Sequence, residues 1–165
     1  MRVKYRLFII LLGLPALPAF AQDPCRQAIT RVDDPREGKV TYYTPMIRPV
    51  YFSKEVRKGV ATWYLSLRAF GDGVNNGKRG ALIRLDNGRT LRKPEAEIGL
   101  RDNELRDDFD YEYIYTAHIR LTPTDLELLK KHRITGFRLY VYEQKVSERE
   151  QAEGVRVLGC LTEGQ

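Results

Sequence analysis

Apolar and polar residues alternate with a period of two over much of this chain, the pattern of strands with one buried face. The clearest run is 60–70. There Ala61, Trp63, Leu65, Leu67 and Ala69 fall on one face, and Thr62, Tyr64, Ser66 and Arg68 on the other. Residues 108–121 predict the longest strand, with Phe109, Tyr111, Tyr113, Tyr115, Ala117, Ile119 and Leu121 aligned on a core face. Residues 40–43 predict a short first strand after the turn-forming stretch 33–38. Pro45 and Pro49 confine the next segment, up to Phe52, to an edge or a loop-like strand. Residues 71–77 read as a loop from their Gly and Asn content. Asp86-Asn87-Gly88 lies between the strand-like runs 81–85 and 89–92, and Asn-Gly in that setting predicts a hairpin. Residues 97–100 and 137–142 predict two further strands.

Two segments break this period. Thr122, Pro123 and Asp125 supply an N-cap, a proline at the first helical position and an acid in the first turn. Lys130, Lys131, His132 and Arg133 close the same segment, where positive charge complements the dipole, so a short helix is expected near 123–132. Ser147 and Glu150 form a capping box ahead of a helix near 148–160, with Ala152, Val155, Leu158 and Leu161 near one face. Strands separated by turns, with no βαβ alternation, give a mainly β fold: an antiparallel β-sandwich or a partly open barrel.

The first 21 residues follow neither pattern. Arg2, Lys4 and Arg6 precede an apolar run at 7–14, then Pro15, Pro18 and Ala19-Phe20-Ala21. This is the layout of a signal peptide cleaved after Ala21. A membrane span would need about 20 apolar residues, and the prolines interrupt the run well before that. Residues 22–165 are then expected to form one β-rich domain, exported to the periplasm or secreted, and not membrane-spanning.

Removal of the leader also changes the charge. The full chain carries +6, but 22–165 holds 25 basic and 22 acidic residues, a net +3 that is weak support for a nucleic-acid or membrane-surface partner, and no nucleic acid is expected. The charge is segregated: 78–93 carries a net +5 and 102–112 a net −5. The blocks read as solvated faces, with an anion-binding patch and a calcium loop as the functional alternatives. No glycine sits where an EF-hand loop turns, so no metal and no cofactor is expected. Cys25 and Cys160 are the two cysteines, and in an oxidising compartment they are expected to join the ends of the domain.

Candidate chemistry is sparse. Tyr111, Tyr113 and Tyr115 share the face that continues into Ala117, Ile119 and Leu121, so they are assigned to the core. Tyr140 and Tyr142 alternate with Leu139 and Val141 and so should join Arg138 on the opposite face, with Tyr64 placed likewise beside Arg68. Tyrosine beside arginine is a composition that anchors interfaces. The leading expectation is therefore a non-enzymatic exported module binding a protein or envelope component through Tyr64, Arg138, Tyr140 and Tyr142. Carbohydrate binding by the same tyrosines is the second reading. The third is a small hydrolase using Asp108, Asp110 or Glu112 with His118. No nucleophile elbow, zinc-protease helix or phosphate loop supports that third reading.

Overall fold

The computed structural model describes residues 25–45, 49–72, 77–102 and 113–163. The leader, Phe109, Tyr111 and nearly all of the acidic block, including Asp108, Asp110 and Glu112, lie outside them. The fold is mainly β. Strands β1 (Thr30–Asp34), β2 (Lys39–Tyr43), β3 (Val50–Arg57), β4 (Val60–Gly71), β5 (Arg79–Leu85), β6 (Thr90–Asp102) and β7 (Tyr113–Leu121) precede helix α1 (Pro123–Lys131). Strands β8 (Ile134–Leu139) and β9 (Tyr142–Lys145) and helix α2 (Glu148–Glu163) complete it. All nine strands join one antiparallel sheet in the order β1-β2-β3-β4-β7-β6-β5-β8-β9, which is not closed into a barrel.

The alternation in β4 and β7 becomes the core. Leu65, Leu67 and Ala69 face Ile119, Ala117 and Tyr115 across the β4–β7 ladder, and all six are buried. At the far end of β4, Trp63 is only half-buried and Ala61 is exposed. Helix α2 contributes Val157, Leu158, Cys160 and Leu161 to the same core, and the Cys25–Cys160 disulfide fastens the start of the described chain to it. Both helices are capped as their residues dictate. Asp125 and Thr122 bond reciprocally at α1, and Ser147 and Glu150 do so ahead of α2. Among the described residues no helix is long and apolar enough to cross a membrane.

Several elements differ from the sequence expectation, each for a local reason. Strand β1 precedes the expected first strand; its TRVDD residues form an exposed edge with no apolar period to reveal it. Strand β3 is interior, between β2 and β4, because both prolines fall before Val50. The hairpin after β5 is a three-residue loop in which Gly88 alone takes a positive φ (78°), with Leu85 N–H donating to Arg89 O. Residues 97–100 are the second half of the 13-residue β6, which runs through Pro94. Pro94 is tolerated because pairing skips there: Ala81 faces Lys93 and Arg79 faces Glu97, with Gly80 (φ 106°) between. The expected strand 137–142 is two strands, reversing at Tyr140 and Val141.

This last reversal brings β9 back toward β4 and β7. The Tyr142 ring stacks on Tyr115 with centroids 3.9 Å apart, and the Tyr115 hydroxyl donates to that of Tyr142 at 3.1 Å. Gly71 makes the approach possible, since a Cβ there would collide with the Tyr142 ring. Gly71→Ala is therefore expected to destabilise the protein by about 1–3 kcal/mol through overpacking. Urea unfolding followed by far-UV CD measures it; an unchanged midpoint would mean that the Tyr142 contact contributes nothing.

Candidate functional site

The four residues proposed from the sequence do not form one surface. Tyr64 stacks on His118, with ring centroids 4.4 Å apart and planes 15° from parallel. Tyr142 is committed to Tyr115 and Gly71. The premise that Tyr140 and Tyr142 share a face with Arg138 fails, because Tyr140 has φ 53° and begins the turn that separates the strands. Arg138 and Tyr140 are nevertheless neighbours. Both line an open cleft of about 430 Å³ with Arg79, Gly80, Ala81, Leu82, Arg92, Lys93 and Pro94.

Strand register builds this cleft. Leu82 is opposite Arg92 in β6 and opposite Arg138 in β8, so the two arginines flank one leucine on a single face. Two strand spacings separate their Cα atoms by roughly 10 Å. Where β6 bulges at Pro94, Gly80 leaves the β5 ladder, and its carbonyl accepts the Tyr140 N–H at 3.0 Å. That bond holds the Tyr140 turn at the rim.

The cleft is basic, but its cations are not equivalent. Lys93 is buried, and its Nζ lies 2.6 Å from Asp125, which also accepts from Thr122 N at 2.8 Å and Thr122 Oγ1 at 2.7 Å. Burial alone would raise the Asp125 pKa, yet these bonds, led by Lys93, hold it below the usual carboxylate range. Lys93 is therefore a strut between β6 and α1. Arg79 is exposed and paired with Glu97 at 2.7 Å, while the Lys78 ammonium lies 5.5 Å from the Tyr140 ring centroid. Arg92 makes no ion pair among the described residues. Arg138 faces Glu143, whose carboxyl already engages Arg84 at 3.3 Å. Among the described residues no acidic side chain lines the cleft.

Arg79 and Arg92 are visible in the sequence only as members of the +5 block, where an anion-binding patch is the alternative to a solvated face. The signal available was the 81–92 hairpin, whose register predicts a face for every charge between its ends.

The residues of the hydrolase reading are not assembled into a described site. Asp108, Asp110 and Glu112 lie outside the described residues, and His118 has other partners. Ser66 Oγ and His118 Nδ1 are hydrogen-bonded at 2.7 Å. Ser66 is 2% exposed in the middle of β4, which leaves no approach for a substrate carbonyl. His132 lies at the end of α1 with Nδ1 3.1 Å from Asp86. Among the described residues no three His, Cys, Asp or Glu side chains converge to hold a metal.

Desolvation lowers the His118 pKa below its ordinary 6.5, so folding favours the neutral ring. The unfolded chain then binds the proton more readily. Stability is therefore full above about 6.5 and falls as pH drops through the depressed folded value. Urea midpoints between pH 7 and 5 are expected to fall less steeply in His118→Gln than in the parent. Parallel slopes would contradict this assignment. No protein-family model, curated protein or solved structure matches the chain, so its function is argued from the cleft.

Proposed function

We propose that the protein is an exported, non-enzymatic binding module that docks an anionic envelope component on the cleft between β5, β6 and β8. The observation that carries this reading is the Arg92–Leu82–Arg138 row, two guanidinium groups on one open face with Tyr140 at its rim and no acid among the described lining residues. Guanidinium groups present paired donors that match carboxylate and phosphate oxygens. Lys93, held by Asp125, positions β6 and adds little free charge. The disulfide supports an oxidising compartment.

Carbohydrate binding remains a second reading in a narrower form. Of the three tyrosines first considered, Tyr140 has its ring exposed beside guanidinium groups, which favours an acidic glycan over a neutral one. Isothermal titration with polygalacturonate and with poly-glutamate tests the common chemistry. At least one is expected to bind, with affinity falling as salt rises. Arg92→Ala/Arg138→Ala is expected to weaken binding about tenfold or more while leaving the urea midpoint unchanged. Equal binding by this variant would remove the cleft from the proposal.

A further inference from the structure

Tyr140 and Val141 are adjacent at the tip of the β8–β9 turn, and both are exposed, at 40% and 57%. Among the described residues the other exposed large apolar side chains are Val32 and Tyr43, diagonal neighbours on the β1–β2 pair, and Val60, which follows the Lys58-Gly59 turn. The two-residue turn is also firmly held. Leu139 pairs with Tyr142 on either side of it, Tyr140 N–H is bonded to Gly80, and Tyr142 is stacked on Tyr115. Its first position has φ 53°, where glycine is the inexpensive residue and a tyrosine is strained. A bulky ring at a glycine-favouring position, followed by an exposed valine, adds nothing to the core. Cations surround this tip: Lys78 at the Tyr140 ring, and Arg79, Arg92 and Arg138 in the adjoining cleft. Among the described residues Glu97 and Glu143 are engaged by Arg79 and Arg84, and Asp72 lies close enough to Tyr115 to act on its phenol.

We infer that the anionic component is a lipid surface, with Tyr140 and Val141 entering the headgroup region while Arg92, Arg138 and Lys78 meet anionic headgroups. This rests on the binding-module reading and names its ligand. A soluble polyanion would use the cations but has no need of an exposed aliphatic side chain. A membrane uses both, because tyrosine settles at the headgroup level and an apolar neighbour is buried just below it. Each cation near an anionic surface contributes about a fivefold gain in binding. The sheet behind the turn stays in water, so contact is peripheral.

Flotation of the processed protein with phosphatidylglycerol–phosphatidylcholine vesicles tests this, with pure phosphatidylcholine vesicles beside them. Binding is expected to the anionic vesicles alone. Tyr140→Gly/Val141→Ser, chosen because glycine suits φ 53°, should lose about tenfold of it with an unchanged CD spectrum. Arg92→Ala/Arg138→Ala should lose at least as much. Arg149→Ala/Arg156→Ala, which removes the same charge from α2, should lose little. If the α2 variant falls equally, or the turn variant binds as well as the parent, the lipid inference is overturned. If polygalacturonate or poly-glutamate binds and vesicles do not, the inference fails and the binding-module reading stands. If none of these binds, both fail.

Discussion

Strand β6 belongs to both halves of the sheet, and the rest of the structure depends on that double pairing. Its first half pairs with β5 and its second half, from Ile98 to Asp102, with β7. The change of partner is possible because the ladder is interrupted at Pro94, where an N–H is missing and Gly80 supplies a backbone that leaves the strand line. Without the bulge, β5 and β8 would extend the plane of β4 and β7 and expose their inner face. With it, the sheet curls and the two halves share one core.

Two contacts fix the curl. On one side the Lys93–Asp125 pair ties β6 to the cap of α1, with both side chains about a tenth exposed. Removing either partner would strand a buried charge, at a cost of about 3–5 kcal/mol. On the other side Tyr142 reaches across to Tyr115 and Gly71. Burial, followed by the hydrogen bond to Tyr142, pushes the Tyr115 phenol upward, so Tyr115 stays neutral well above physiological pH. The Cys25–Cys160 bridge then binds the first of the described residues to the helix that covers the core. The bulge that bends the sheet also opens the cleft, since Gly80, Lys93 and Pro94 line both.

What was legible in the sequence follows from which physical signal each element carries. Strand β4 and the described part of β7 declare themselves by period two because one face of each is buried. Helices α1 and α2 declare themselves by their caps. Strand β1 has no buried face, so nothing in TRVDD distinguishes it from a loop. The reversal at Tyr140 and Val141 lacks the Gly, Asn or Pro that usually marks a turn, and reading through it placed Tyr140, Tyr142 and Arg138 on one face. Half of the candidate site was therefore found for an incorrect reason: Arg138 and Tyr140 meet because the strand ends between them and β9. Arg92 was visible only as charge, since its placement beside Leu82 depends on a register that composition does not carry.

Three of the residues assigned to binding are not accounted for by folding. Arg92 lacks an ion-pair partner among the described residues, Val141 is exposed, and Tyr140 occupies a conformation suited to glycine. Tyr64, Ser66 and His118, by contrast, satisfy one another. The most direct measurement is backbone and side-chain NMR of residues 22–165 with and without anionic bicelles. Shifts are expected to cluster at 78–82, 92–94 and 138–141 and to leave the ends of β1 and β2 and the outer face of α2 unmoved. Perturbations centred on those other surfaces, or none in the cleft, would contradict the account.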